Sequence, residues 1–247
     1  IAEAYEELAP HIKAIETGLS SDPAMNRRVA DLDNVAIISN SDAHSPQKLG
    51  REATVVQSEL SYQAITGAIK NNDKRLLGTI EFFPEEGKYH HDGHRACNVR
   101  FTPDETKAHN GMCPVCGKPL VVGVENRLNN MATRPQKDVK NTKRVEYIIP
   151  LPEILAELAG AKSTAGKAVQ ATFHDVIDHL GNEFDVLRNV PPQTIRDAGF
   201  PMLAIAIERL RAGNVVREPG YDGVFGTIKV FKDTHERQDT LNQLSLL

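Results

Sequence analysis

Val35-Ala36-Ile37-Ile38-Ser39-Asn40-Ser41-Asp42-Ala43-His44-Ser45-Pro46 is the stretch on which the reading of the fold turns. Its first five residues form a short, β-branched apolar run bounded by polar residues, the pattern of a buried strand. The strand end then carries a carboxylate and an imidazole two residues apart. On extended backbone Asp42 and His44 project to the same side. Such a pair at the carboxyl end of a buried strand can ligate a divalent metal. The spacing taken alone equally serves capping and turn bonding, so the rest of the chain has to decide.

Working outward, residues 1–80 read as α/β. The pattern predicts a helix around Ala2–Glu16, another around Met25–Leu32, a strand near Thr54–Val56 and a helix capped by Ser61 that runs to Ile69. Residues 81–131 are rich in Gly, His and turn signals and form a second segment. Residues 132–235 read as mainly helical. Pro152 sits near a helix start, and Gly160, Gly181 and Gly213 fall where helices should stop. Val169, Phe173, Val176, Ile177 and Leu180 repeat at helical spacing and predict a core stripe. Residues 214–231 turn toward strand, and residues 236–247 read as a flexible polar tail. The stretch Gly160-Ala161-Lys162-Ser163-Thr164-Ala165-Gly166-Lys167-Ala168 looks like a phosphate loop only superficially. Its glycines are one residue too far apart and it follows a helix, so it reads as an interhelical turn.

The second segment holds all three cysteines of the chain, in the order His94-x-x-Cys97 … Cys113-x-x-Cys116. Two tight turns of this kind point four ligands at one tetrahedral ion, which predicts a structural Zn2+ site rather than a disulfide framework. His94 gives the symmetrical spacing, while His90, His91 and His109 stand as alternatives for the fourth ligand.

The 247 residues suffice for one large domain or two small ones, and 40% hydrophobic with 25% charged content is ordinary for a globular protein. No run approaches the length of apolar chain that a membrane span needs. Three cysteines in a chain of this size predict a reducing, cytoplasmic setting. The sequence opens on Ile1 without a signal-peptide pattern, which predicts the C-terminal portion of a longer protein. Net charge is −4, yet Arg127, Arg134, Lys137, Lys140, Lys143 and Arg144 face the single acid Asp138. Next to a zinc module, such a strip predicts phosphate contacts.

The stretch Ser39–Pro46, followed by Leu49-Gly50-Arg51-Glu52-Ala53, resembles the last metal motif of the polymerase-and-histidinol-phosphatase (PHP) superfamily of metal-dependent phosphoesterases. Further matching stretches are Ile15–Pro23, Phe82–His90, Asp92–Arg95, Cys113–Gly117 and Gly220–Gly226. With these the chain resembles the endonuclease Q family over nearly its whole length. The resemblance implies the C-terminal part of a PHP-type (β/α) barrel over 1–80, a zinc-binding module over 81–131 and a mainly helical DNA-binding domain over 132–235. It implies a DNA-repair endonuclease that cuts the backbone 5′ to deaminated bases (uracil, hypoxanthine, xanthine) or abasic sites. Asp42 and His44 then become ligands of a catalytic divalent metal, Zn2+, Mg2+ or Mn2+, which stabilises the phosphoryl transition state and lowers the pKa of an attacking water. Gly18, Ser20 and Ser21 fall where a loop meets a flipped-out base, with Glu16 as structural support. Lys137, Lys140 and Lys143 fall on phosphates.

The superfamily's early His-x-His, Glu and further histidine motifs are absent, so a missing N-terminal part of the barrel is expected to supply those ligands. Finally, Gln243-Leu244-Ser245-Leu246-Leu247 sets leucines at the end of a polar tail, where they bring no folding benefit. It resembles the short peptide that docks on the bacterial sliding clamp, with Gln243, Leu244, Leu246 and Leu247 as contacts, and implies a bacterial source. The rival readings are a non-catalytic zinc-containing DNA-binding and clamp-tethering module, and a PHP-type phosphomonoesterase.

Overall fold

The expected helix over Ala2–Glu16 is broken in the computed structural model, which describes residues 1–139 and 143–244. Helix α1 spans only Ala2–Tyr5, a 3-10 turn follows over Glu6–His11, and strand β1 covers Ala14–Glu16. Pro10 inside the turn lacks an N–H, and its ring blocks the preceding helical turn. Helix α1 also buries no residue, so packing does not hold it together. The expected helix over Met25–Leu32 likewise gives way to α2 (Pro23–Asn26) and a 3-10 turn at Ala30–Leu32. Asp22 caps α2, accepting from the Met25 N–H at 2.6 Å.

The apolar run forms strand β2 (Ala36–Ile38), which pairs in parallel with β1, Ala14 opposite Ala36. Strand β3 (Ala53–Val56), helix α3 (Tyr62–Asn71) and strand β4 (Leu76–Glu81) follow, and Ser61 caps α3 as expected. Strands β3 and β4 are antiparallel, with Ala53 opposite Ile80. The second segment contains the antiparallel strands β5 (Asp92–His94) and β6 (Val99–Phe101), then helices α4 (Pro103–Ala108) and α5 (Val124–Met131). Strand β7 (Arg144–Tyr147) completes a sheet ordered β3-β4-β7. That pairing needs Gly78, because a Cβ there would stand 1.8 Å from the Arg144 carbonyl oxygen. Among the described residues these strands make small separate sheets, and no closed barrel forms.

The chain divides into two compact units, Ile1–Glu146 with Glu218–Thr227, and Tyr147–Arg217 with Ile228–Leu247. The first helix of the second unit starts at Leu151. Residues 218–227 return to the first unit. Tyr221 donates its hydroxyl to Asn98 Oδ1 at 2.7 Å, and the Arg95 N–H donates to Asp222 Oδ2 at 2.6 Å.

The second unit is built from α6 (Leu151–Ala159), α7 (Lys167–Leu180), α8 (Glu183–Arg188), α9 (Pro192–Asp197), α10 (Pro201–Arg211) and α11 (Thr234–Leu244). Its core includes the fully buried Ile154, Val176, Val186, Ile195 and Ile207. Val169 and Val176 of the expected stripe are buried on α7, and Phe173, Ile177 and Leu180 are half-buried. The glycine-rich stretch 160–166 is the turn between α6 and α7, and Gly160 closes α6 with a left-handed φ of 65°. Glu157 on α6 accepts from the Val230 and Phe231 N–H groups at 2.9 and 2.8 Å, anchoring the returning chain. The tail expected to be flexible is helical in its described part, since Asp233 accepts from the Glu236 N–H at 2.9 Å and starts α11. No described helix is long and apolar enough to cross a membrane.

Candidate functional site

The thiolate centre is assembled from a strand end and two local turns. His94 ends β5, Cys97 closes a 3-10 turn Arg95–Cys97, and Cys113 and Cys116 lie on one turn. In that turn the Gly117 N–H donates to the Cys113 carbonyl and the Cys113 N–H to the Lys118 carbonyl, both at 2.8 Å. Gly117 needs its φ of 68° to make this bend, a conformation natural to glycine. One ligand atom from each of His94, Cys97, Cys113 and Cys116 lies within 4.8 Å of the others, and Cys116 Sγ is 3.5 Å from His94 Nδ1. Val99, Cys113 and Leu120 form the small core beneath, with Cys97 and Phe101 packed against it.

The thiols are unequal. Burial pushes Cys113 up, but N–H groups of Cys116 and Val115, the Cys116 thiol and His94 outweigh it and bring Cys113 down to about 7. Cys97 is pushed up to about 11, first by its hydrogen bond with Cys116 and then by burial. Three sulfurs and one imidazole at this spacing are the donor set of a closed tetrahedral zinc site. His109 stacks on Phe101 at 4.7 Å between centroids and lies outside this group, as do His90 and His91. His94 is therefore the fourth member.

Asp42 and His44 are placed differently from expectation. The strand ends at Ile38, and Asp42 adopts a left-handed φ of 46°, so the two residues do not alternate along extended backbone. Both are exposed, and His44 Nδ1 sits 2.7 Å from the carbonyl oxygen of Asp42. Among the described residues no third His, Cys, Asp or Glu joins either one in a metal-holding group.

What lies at the end of β2 instead is a buried acidic floor. Glu52 is 3% exposed and Glu81 fully buried. Thr17, just past β1, and Ser39, just past β2, donate their hydroxyls to Glu81 Oε2 at 3.1 and 3.0 Å. The Ser39 backbone exchanges two 2.9 Å hydrogen bonds with Thr54 Oγ1. One oxygen of each carboxylate, Glu52 Oε2 and Glu81 Oε1, is buried without a hydrogen-bond partner among the described residues. Burial, with the charge of Glu81 added, raises Glu52 to about 8. Burial raises Glu81 to about 7 against the bonds from Ser39 and Thr17. The floor ties together the ends of the two parallel strands from which the loops at 17–22 and 39–46 depart. Sequence reading assigned no role to Glu52 or Glu81, although both lie in or beside the stretches that carried the resemblance.

The remaining expected contacts separate into used and free groups. Ser21 Oγ donates to the Thr17 carbonyl at 2.6 Å and accepts from Asn26, so it shapes its own loop. Gly18 turns the loop with a φ of 62°. Ser20 lies against Gly87, where a Cβ would stand 2.3 Å from its Oγ. Within the basic strip, Lys143 donates to the carbonyls of Asp73 and Asn72 at 2.5 and 3.4 Å. Arg134 bonds the Asp33 carboxylate and the Arg27 carbonyl. Lys137 is exposed on a 3-10 turn. Gln243 is exposed on α11. Lys140, Leu246, Leu247 and the Leu244 side chain lie outside the described residues.

With this geometry in hand, comparison with known proteins locates the chain. The family described as PHP-associated matches residues 24–73, and the MJ0043 C-terminal domain family matches residues 150–214. Uncharacterized protein MJ0043 of Methanocaldococcus jannaschii is 31% identical over 87% of this chain and 28% of its own length. Uncharacterized protein YqxK of Bacillus subtilis is 30% identical over 88% of this chain and 53% of its own length. The chain thus spans about half or less of these relatives. The crystal structure of the lesion-specific endonuclease PfuEndoQ from Pyrococcus furiosus superposes with a TM-score of 0.81 at 27% identity, covering 97% of this chain and 61% of that one. Endonuclease Q in complex with a 27-mer duplex bearing an abasic lesion at the active site superposes at 0.79, also at 27% identity, over 94% and 58%.

Proposed function

We propose that this endonuclease Q-like chain, with its PHP-associated segment, is the C-terminal portion of a metal-dependent DNA-repair endonuclease that cuts beside deaminated bases or abasic sites. The observation that carries the reading is the likeness of fold over 97% of the chain to a lesion-specific endonuclease. In this reading Asp42 and His44 contribute an oxygen and a nitrogen donor to a divalent cation. Two donors fit such an ion only as part of a larger set, completed by ligands from the length of the relatives that this chain does not span. The ion, when bound, neutralises charge on the scissile phosphate and lowers the pKa of its water. The chain's own work is positional. Glu81 holds Thr17 and Ser39, and so fixes where the two loops start. The thiolate centre, as a zinc site, orders residues 92–122. Lys137 is an exposed cation of the strip that faces phosphate, and the tail from Gln243 provides a clamp tether.

A second reading, a DNA-binding and tethering module without catalysis, is favoured by one observation: no described donor completes a set with Asp42 and His44. Nicking of a duplex with one abasic site, by the chain combined with the rest of the protein, separates the two. Nicking that Asp42→Ala abolishes while DNA binding persists supports the endonuclease. Nicking undiminished in Asp42→Ala refutes the assignment, and binding without nicking in the combined protein selects the module. Hydrolysis of free phosphomonoesters in place of nicking would select the remaining rival.

A further inference from the structure

We propose that His90, His91 and Glu125 form a second cation site, separate from the thiolate centre and suited to a divalent metal of the zinc class. One ligand atom from each residue lies within 4.8 Å of the other two, and His91 Nε2 stands 3.0 Å from Glu125 Oε2. The two imidazoles stack with centroids 5.3 Å apart and planes 27° apart, which sets their nitrogens side by side.

His90 takes the cluster beyond an ion pair. The residue is 5% exposed, and its Nδ1 is buried with no hydrogen-bond partner among the described residues. A buried imidazole nitrogen left without a partner, grouped with a second imidazole and a carboxylate, fits the arrangement of a metal-ligating histidine. Left unmet, such a buried polar atom destabilises the fold. Coordination removes that cost.

The backbone around the cluster is fixed from several sides. The His91 N–H donates to the Gly220 carbonyl at 2.9 Å, and the Glu125 N–H donates to the His90 carbonyl at 3.1 Å. Gly123 lets the start of α5 reach this position, since a Cβ there would stand 2.4 Å from the His91 carbonyl carbon. The buried Asp92 locks the same approach, accepting from the Gly123 N–H at 2.5 Å. Glu125 is thereby delivered to the two rings by main-chain contacts that do not depend on charge. The His91 and Glu125 side chains are 14% and 32% exposed, so an ion can enter from solvent. Two nitrogens and one carboxylate leave a fourth position for water, an open site of the kind zinc and cobalt occupy.

Metal analysis of the untagged whole chain, saturated with zinc and dialysed against a weak chelator, tests the proposal. The wild type should retain two equivalents, Cys113→Ser one, and a His91→Gln, Glu125→Gln double variant one. Co2+ titration of the wild type needs no variant. The first kind of site gives intense sulfur-to-cobalt charge transfer, and the second adds only weak ligand-field bands. In the double variant the charge-transfer bands should persist, while the second equivalent binds at least about tenfold more weakly. A wild-type chain that saturates at one equivalent overturns the proposal and leaves His91 and Glu125 as an ion pair. Retention of two equivalents by the double variant overturns it as well.

Discussion

Replacing Glu52 with Gln removes one carboxyl group from the acidic floor and leaves its shape almost unchanged. The Phe82 N–H, 3.4 Å from Glu52 Oε1, keeps an oxygen to donate to. The native carboxyl is raised from its ordinary 4.5 to about 8, first by burial and then by the charge of Glu81. At about 1.4 kcal/mol per pH unit, ionising it inside the fold costs on the order of 5 kcal/mol more than in the unfolded chain. The sign follows from proton uptake. Below about 4.5 both states hold the proton and the fold keeps its full stability. Between 4.5 and 8 only the folded state holds it, so stability is lost as pH rises through about 8. Denaturant unfolding of both proteins at saturating zinc, from pH 5 to pH 9, isolates the group. Titration of the thiolate centre is common to both and cancels in the difference. The amide's imperfect fit adds only a constant offset. Glu52→Gln should gain several kcal/mol on the wild type across this range, most of it before pH 8.5. A difference that stays flat within about 1 kcal/mol would mean that water reaches Glu52 and that the buried acidic floor is not what the geometry makes it.

Four other perturbations have defined outcomes. Cys113→Ser should abolish metal retention at the His94, Cys97, Cys113 and Cys116 group and lower the melting temperature, because coordination free energy is folding free energy at such a site; unchanged metal content and melting would refute this. Lys143→Ala should cost about 1–2 kcal/mol in chemical denaturation, since it frees two carbonyls at the end of α3, and should leave the salt dependence of DNA binding unchanged. Lys137→Ala should do the opposite, keeping stability within about 0.5 kcal/mol and lowering the log–log salt slope by about 0.9. Ile207→Ala, at a fully buried position of α10, should cost about 2–5 kcal/mol by cavity formation, read from the shift of the urea midpoint.

The parts of this protein that were legible in its sequence are those fixed by local rules. The stripe on α7 follows from 3.6-residue periodicity, and the Ser61 cap of α3 from a hydroxyl three residues before the N–H it satisfies. The thiolate centre was legible because each Cys-x-x-Cys or His-x-x-Cys turn is stereochemically self-contained. The helix expected over Ala2–Glu16 failed for the converse reason. Its apolar spacing is helical, but Pro10 interrupts the backbone ladder, and no packing compensates. Residues 218–227 rejoin the first unit across more than a hundred residues of chain, a return that no local rule announces. Only the glycines signalled that return. A Cβ at Gly226 would stand 2.0 Å from the Glu85 carbonyl oxygen, and one at Gly93 would stand 2.3 Å from the Tyr221 ring.

Charge was the least legible property, and it misled in both directions. Glutamates are mostly exposed by type, yet tertiary closure around Thr17 and Ser39 buries Glu52 and Glu81. The basic strip read as one electrostatic surface, yet its members are divided by what lies across from them. Arg134 neutralises Asp33, and that guanidinium holds the Asp33 carboxyl below the usual carboxylate range. Lys143 closes the C-terminal end of α3, where a cation complements the helix dipole. A cation already bonded to carbonyls or a carboxylate must give up those bonds to meet a phosphate, so its net gain on DNA is small. A cation in open solvent such as Lys137 gives up only water and counterions, and counterion release is what drives binding. The strength of a basic run as a nucleic-acid surface is therefore set by how many of its side chains the fold leaves unengaged, and the number of lysines and arginines in the run is a poor guide to that.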